Sequence, residues 1–263
     1  MGRIRGIGIW KHWLLGIAFA KALLLSHSCT TKNFYKLATS DSQHSIDSTL
    51  PAHDRLDGLI QPYRAALQKQ MSEPLTYNRM AMSKTEGGLN TALGNLMADA
   101  MRERALASLP AGSEIDITLL NHGGIRAPLP AGTVSTRNAY EIMPFENELV
   151  IVQLTGDKVQ QMIDYLITER KAHPINGLNI SLLSDNETVA TVNGQPLDEA
   201  RTYSVLTSDY LYNGGDDMQF LTGAPVVKLD YKVRNALIDY FKSKDTLRAA
   251  RDGRFTRKHH ESR

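Results

Sequence analysis

Helical and strand patterns alternate along the chain from about residue 58 to residue 245, and this alternation narrows the choice of fold more than any other feature. Around residues 93–101, apolar residues recur at the i, i+3, i+4, i+7 and i+8 positions that form one face of a helix. Residues 115–120, 148–154 and 203–207 have the composition and alternation of strands. Helices and strands intermixed in this way predict a single α+β or mixed α/β domain.

The ends of the predicted elements follow from local signals. Pro62 suits the first turn of a helix, and Asn90, Thr155 and Asp230 are candidate N-caps of three further helices. Residues 246–263 are basic and are assigned to a tail that frays. The predicted domain therefore ends before this tail.

The positive charge of the chain is concentrated at its N-terminus. The formal net charge at pH 7 is +2, but the first 28 residues contain four basic residues and no acid, so the remainder carries −2. A near-neutral body argues against a nucleic-acid partner held through its phosphates. With 42% apolar and 22% charged residues, the composition is that of a globular protein and not of a disordered one.

The first 28 residues resemble a signal peptide for export. Basic residues precede an apolar run over residues 13–25, which is short for a membrane span of about 20 residues. Cys29 follows this run and is the only cysteine, so no intrachain disulfide can form. We predict a bacterial lipoprotein with Cys29 lipidated, a flexible tether over residues 29–57, and anchorage at the periplasmic or surface face of the cell envelope. A plain secretory signal or an uncleaved anchor is the alternative.

Three segments contain the residues best suited to chemistry. Residues 120–126 lead a strand into Asn121, a glycine pair and Arg126; the glycines let a ligand approach the backbone, and the guanidinium suits phosphate or carboxylate. Residues 142–147 place an aromatic ring after a proline, and residues 208–217 combine tyrosines, glycines and acids. Taken singly, the segments are better explained as a tight turn, a core aromatic residue and an acidic turn whose spacing fits no EF-hand.

Together, the segments resemble in order and spacing the C-terminal domain of 5'-nucleotidases, over about residues 59–245. The matching motifs are Leu-Gly-Asn-Leu at 93–96, Ala-Asp-Ala at 98–100, Gly-Ile-Arg at 124–126, Pro-Phe at 144–145, Leu-Thr-Gly at 154–156 and Gly-Gly-Asp at 214–216. In that family the domain is a four-layered α/β/β/α unit that binds the nucleoside part of the substrate. A separate N-terminal domain holds two metals and receives the phosphate. The resemblance implies this fold, and nucleotide recognition, for the present chain.

The resemblance also implies substrate contacts at six positions, which are Asn121, Arg126, Phe145, Gly177, Tyr210 and Asp216. It places the rings of Phe145 and Tyr210 on either side of the base, where stacking contributes about 1–3 kcal/mol per base. It places Asn121 against the nucleoside and Arg126 against the phosphate. Asp216 is expected to accept hydrogen bonds from ribose hydroxyls. The remaining position, the glycine, is expected to lie near the base.

The chain departs from the family pattern at several positions. The family commonly has an arginine and an acid or glutamine just before the Gly-Asn motif, where this chain has Leu89 and Asn90. Asp217 replaces a usual glycine, and Tyr210 replaces a usual phenylalanine. Lys84 is a candidate for the missing positive charge near the phosphate. These departures leave open a shifted substrate preference or a loss of nucleotide binding.

The metal-binding motifs of the family's catalytic domain do not occur in the sequence. There is no Asp-x-His, no Gly-Asn-His-Asp/Glu and no Gly-His-x-His, and only His122 and His173 of the eight histidines lie in the predicted domain. We therefore predict no catalytic residue and no metal in this chain, and expect two divalent metals in a separate metallophosphatase chain that acts with it in nucleotide catabolism. The alternatives are an envelope lipoprotein that binds nucleotides or nucleosides without turnover, and a structural relic that no longer binds them.

Overall fold

A computed structural model describes residues 53–184 and 187–257. The predicted signal peptide over residues 1–28, the lipidated Cys29 and most of the tether over residues 29–57 lie outside these residues and stay predictions. Within the described ranges, no helix has both the length and the apolar composition needed to cross a bilayer.

The described residues form six α-helices and twelve strands. The helices are α1 (Asp54–Met71), α2 (Ala92–Ser108), α3 (Thr136–Ile142), α4 (Gly156–Glu169), α5 (Asp209–Tyr212) and α6 (Val233–Lys242). The first six strands are β1 (Pro74–Asn78), β2 (Ile117–Leu119), β3 (Gly132–Ser135), β4 (Glu148–Thr155), β5 (Ile175–Asn176) and β6 (Leu178–Leu182). The others are β7 (Thr188–Val192), β8 (Gln195–Pro196), β9 (Thr202–Ser208), β10 (Val226–Lys232), β11 (Thr246–Leu247) and β12 (Phe255–Arg257).

A five-stranded sheet with the order β10-β4-β9-β2-β5 carries the main core. Its strand β9 pairs in parallel with β2 and antiparallel with β4. A four-stranded sheet has the order β12-β6-β7-β8, and a three-stranded sheet has the order β11-β1-β3.

Apolar side chains cover both faces of the five-stranded sheet. Along β4, Leu149 and Ile151 pack on one face, in the cluster that also contains the apolar sides of α2 and α6. Val150 and Val152 pack on the opposite face, with α4 and the four-stranded sheet. This division follows from the two-residue period of side chains along a strand. The layered packing of helices and sheets confirms the predicted mixed α/β fold class.

The helix starts differ from the sequence predictions at three places. Helix α1 begins at Asp54 with two acids in its first turn, which favour a helix N-terminus, so Pro62 stands inside the helix. Thr91, and not Asn90, caps α2, because the Thr91 hydroxyl accepts the Gly94 N–H at 3.0 Å. Helix α6 begins at Val233, after Lys232, and not directly after the predicted N-cap Asp230.

Asn90 and Asp230 have structural roles other than capping. The side chain of Asn90 donates to Asn95 at 2.8 Å and accepts from the backbone N–H groups of Asp252 and Gly253 at 3.1 and 3.2 Å. It thereby fastens the C-terminal segment to the start of α2. Asp230 lies in β10 with a φ of 49°, where the register against β4 shifts.

The C-terminal segment is part of the fold as far as residue 257, so the predicted fraying of residues 246–263 is wrong for this stretch. Strand β11 pairs with β1, and β12 pairs with β6. Phe255 is buried in the core, and the Arg254 guanidinium bonds Asp99 at 2.7 Å and also pairs with Asp252. These contacts join distant parts of the chain, which local composition does not reveal.

We expect Phe255→Ala to lower the free energy of unfolding by about 3 kcal/mol, because it removes a buried ring and leaves a cavity. Leu59→Ala is the control, because the Leu59 side chain is 62% exposed, and this variant should unfold like the full chain. Urea denaturation followed by circular dichroism measures both. Equal stability of the Phe255→Ala variant and the full chain would support a frayed tail instead.

Candidate functional site

Strand directions bring three loop segments to one edge of the five-stranded sheet. Because β2 and β9 are parallel, the residues that follow Leu119 and Ser208 emerge at the same edge. Because β4 is antiparallel to β9, the residues that precede Glu148 lie there too; Leu149 pairs with Ser208. The backbone N–H of Glu148 also donates to the Asp209 carboxylate at 3.0 Å. The three segments singled out from the sequence therefore meet.

A cavity of about 260 Å³ lies where these segments meet. It is lined by Asn121, Gly123, Gly124, Arg126, Phe145, Asn147, Tyr210 and Asp216. Five of the six predicted site residues are in this set. The rings of Phe145 and Tyr210 are 40% and 42% exposed, so neither is a core residue. Cavities of 490 and 670 Å³ elsewhere contain none of the predicted site residues.

Asp216 is the hydrogen-bonding centre of the cavity. One of its carboxylate oxygens, Oδ2, accepts from Asn121 Nδ2 at 2.9 Å, and the other, Oδ1, accepts from the Tyr210 hydroxyl at 2.8 Å. Its backbone carbonyl accepts from the Tyr165 hydroxyl at 2.7 Å. The bond to Asp216 is the main reason why the pKa of Tyr210 is raised. The polar wall of the cavity is thus fixed before any ligand binds.

The loop that presents Asp216 needs a close approach at Gly215. A Cβ atom at this position would lie 2.5 Å from atoms of the Tyr210 ring, so only glycine lets the ring fold back over the loop. Asp216 and Asp217 have φ values of 51° and 60°. Aspartate tolerates this left-handed region better than most residues. Asp217 therefore keeps a positive-φ turn at a position where the family usually has glycine.

Arg234 holds the segment that carries Phe145, and sequence analysis missed it. This buried guanidinium donates to the carbonyl oxygens of Pro144 and Phe145, both at 3.2 Å, and pairs with Glu146. The hydrogen bonds from Arg234 and Lys232 lower the pKa of Glu146 to about 2. An arginine on the buried side of α6 is the sequence signal that points to such a role.

Two cations are close enough to interact electrostatically, and one of them, Arg126, lines the cavity. The Arg126 guanidinium lies 6.0 Å from the centroid of the Phe145 ring and donates to the Gly123 carbonyl at 3.4 Å. Lys84 Nζ donates to the His122 carbonyl at 3.3 Å, and burial together with the charge of Arg126 lowers the pKa of Lys84. Within the described residues, neither cation pairs with a carboxylate. Their arrangement suits an anionic group.

The sixth predicted site residue, Gly177, does not line the cavity. Its φ is 76°, and a Cβ atom there would lie 2.0 Å from the Asp116 carbonyl oxygen. Its own carbonyl accepts from the Asn193 N–H at 2.7 Å. The glycine is explained by its left-handed backbone conformation and its close approach to Asp116, and its expected place near the base stays a prediction.

A second cavity of about 410 Å³ adjoins the first and shares Gly123 and Asp216 with it. Its lining includes His122 and His173. His173 is 5% exposed, and its Nδ1 accepts the His122 N–H at 3.3 Å, which makes the neutral ring the form that fits. Burial lowers the pKa of His173 to about 4. No group of three or more His, Cys, Asp or Glu residues in the described ranges is arranged to hold a metal ion.

The fold and the motifs have counterparts among known proteins. The family model of the 5'-nucleotidase C-terminal domain matches residues 70–223. A cell wall protein of Listeria monocytogenes is 26% identical over 227 residues, covering 78% of this chain and 28% of that protein. The protein UshA of Escherichia coli is 29% identical over 144 residues, covering 52% of this chain and 24% of UshA.

A solved structure has the same fold. The 5'-nucleotidase precursor from Thermus thermophilus matches with a TM-score of 0.66 at 23% identity, over 79% of this chain and 44% of that one. This chain therefore spans less than half the length of these relatives.

We expect the buried His173 to make the protein less stable in acid. Its folded-state pKa is about 4, below the ordinary value near 6.5. Stability from this residue is therefore complete above pH 6.5 and falls by about 3 kcal/mol as the pH drops to 4. In His173→Asn, whose amide oxygen can still accept the His122 N–H, this part of the decline should vanish. Chemical denaturation of both proteins at pH 7, 5.5 and 4.5 tests this, and parallel declines would contradict it.

Proposed function

The chain belongs to the 5'-nucleotidase C-terminal domain family, and from this we propose that it recognises nucleotides or nucleosides as the substrate-binding half of a 5'-nucleotidase-type phosphohydrolase. The observation that carries the proposal is the convergence of Phe145, Tyr210, Asn121, Arg126 and Asp216 on one cavity. These residues come from three segments that are distant in sequence. Two exposed rings, a carboxylate and a guanidinium in one cleft match the parts of a nucleotide.

The chemistry of each wall suits one part of the ligand. The rings of Phe145 and Tyr210 offer flat apolar faces to a base, and base–aromatic stacking is worth about 1–3 kcal/mol per base. The Asp216 carboxylate accepts hydrogen bonds from sugar hydroxyls. Arg126 and Lys84 attract the phosphate, and a hydrogen bond to a charged group contributes about 1.5–3 kcal/mol.

The proposal assigns hydrolysis to a separate metallophosphatase chain that holds two divalent metals. Two metals about 3.5–4 Å apart need a dense set of Asp, His and Asn ligands. The sequence has the motifs of the substrate side and lacks the motifs of the metal side. In this arrangement the present chain supplies recognition, and its partner supplies the attacking water and the phosphate chemistry.

The proposed location is the bacterial cell envelope, with a lipid on Cys29 as the anchor. The support is the signal-like N-terminus with its single cysteine, and the similarity to a cell wall protein of Listeria monocytogenes. A tether then gives the domain reach from the membrane to a partner.

A second candidate function is capture of nucleotides or nucleosides without turnover. Leu89 and Asn90 favour it, because they stand where the family commonly has an arginine and an acid or glutamine. Asn90 is committed to structural hydrogen bonds with Asn95 and the C-terminal segment. Calorimetry with AMP, adenosine and UDP-glucose, with and without a metallophosphatase partner, separates the two functions. Turnover that depends on both chains supports the first.

We expect Phe145→Ala to weaken binding of 5'-AMP by roughly tenfold or more, since it removes one stacking surface. Tyr77→Ala is the matched control, because Tyr77 is an exposed ring on β1 outside the cavity. Isothermal titration calorimetry on the purified chain measures both variants. Unchanged affinity in Phe145→Ala would favour a relic without a working site.

We expect the purified chain alone to release no phosphate from 5'-AMP in the presence of Mn²⁺, Zn²⁺ or Co²⁺, because its described residues lack a metal-binding group. A phosphate assay, repeated with candidate partner chains, measures this. Robust release by the isolated chain that EDTA abolishes would overturn the division of labour between two chains.

A further inference from the structure

We propose that the Tyr210 hydroxyl positions the Asp216 carboxylate for the two neighbouring hydroxyls of a ribose, and so makes the site selective for ribonucleosides over 2'-deoxyribonucleosides. The inference rests on the proposed nucleoside-binding function and concerns its sugar. It gives Tyr210 a second task beside stacking, which a phenylalanine at this position cannot perform.

Both oxygens of the carboxylate are held by the protein. Oδ1 accepts from Tyr210 at 2.8 Å, and Oδ2 accepts from Asn121 at 2.9 Å. A carboxylate oxygen has two lone pairs, so each oxygen keeps one free acceptor position. The two donors fix the rotation of the carboxylate about its last bond. The free positions are thereby presented as a pair.

The backbone around Asp216 is held as well. The carbonyl of Asp216 accepts from Tyr165 at 2.7 Å, and the φ of Asp216 is 51°. The Tyr210 ring packs closely on Gly215, the residue before Asp216. With the main chain restrained, the hydrogen bonds from Tyr210 and Asn121 control the remaining freedom of the side chain.

The sugar preference follows from counting donors. A ribose has vicinal 2'- and 3'-hydroxyls that can donate one hydrogen bond to each oxygen of a fixed carboxylate. A 2'-deoxyribose supplies one donor, so the free acceptor position on the other oxygen stays unfilled in a partly buried site. Sites built to bond a hydroxyl reject analogues that lack it, because their own polar groups are then unpaired.

The hydrogen bond from the Tyr210 hydroxyl to Asp216 could also hinder ribose binding, and this alternative makes the opposite prediction. If the Tyr210 hydroxyl competes with the sugar for the carboxylate, its removal will strengthen ribonucleotide binding. If it positions the carboxylate, its removal will weaken the preference for ribose while stacking on the ring survives. Tyr210→Phe distinguishes the two, since it deletes only the hydroxyl.

The test is calorimetry of the full chain with AMP and with dAMP. The wild type should prefer AMP by about tenfold or more, the effect expected of one hydrogen bond to a charged group. Tyr210→Phe should lower this ratio to about threefold or less, and Asp216→Asn should lower it similarly. Tyr212→Phe is the control: its hydroxyl donates to the Ala224 carbonyl outside the cavity, so it should keep the wild-type ratio. Thermal melting checks that every variant is folded.

The outcomes separate this inference from the function on which it rests. If Tyr210→Phe keeps or increases the preference, or if the wild type binds AMP and dAMP equally, the positioning role is overturned and nucleotide binding stands. If the wild type binds neither nucleotide, the proposed function is overturned, and the sugar selectivity with it. If Tyr210→Phe loses affinity for AMP and for dAMP by the same factor, the positioning role is also overturned. A general structural effect of this kind leaves the ratio of the two affinities unchanged.

Discussion

The pairing of β9 with β2 on one side and with β4 on the other is the constraint on which the cavity depends. It fixes the two strand ends and the one strand start from which the lining segments emerge. Both faces of this sheet are buried at its central strands β4, β9 and β2, and a one-residue slip would turn every side chain of such a strand to the opposite face. The buried side chains therefore stabilise the strand register, and this register determines where the segments that line the cavity emerge.

The groups that shape the cavity are in turn held by residues outside it. Arg234 donates to the carbonyl oxygens of Pro144 and Phe145, and the Tyr165 hydroxyl donates to the carbonyl of Asp216. Neither of these residues lines the cavity between Phe145 and Asp216. A rigid frame of this kind presents its ring faces and its carboxylate in a set arrangement, which lowers the entropic cost of binding.

The sequence was informative where a local pattern or an ordered set of motifs carried the information. Helical periodicity predicts the buried face of α2, and the order of three motifs identifies five of the residues that line the cavity. It was uninformative where the role of a residue depends on a distant contact. Arg234 bonds a turn 90 residues away in sequence, and Arg254, which local composition assigns to a basic tail, pairs with Asp99 of α2. The family resemblance assigns Gly177 to the site, whereas its positive φ and its close approach to Asp116 explain the glycine from the fold.

The central claim is that this cavity is a nucleoside site, and a crystal structure of the full chain with 5'-AMP tests it most directly. The account predicts the base against the rings of Phe145 and Tyr210, the sugar hydroxyls at Asp216 and the phosphate towards Arg126. A nucleotide bound at another cleft, such as the one lined by Arg170 and Arg251, with the Phe145 cavity empty, would contradict it.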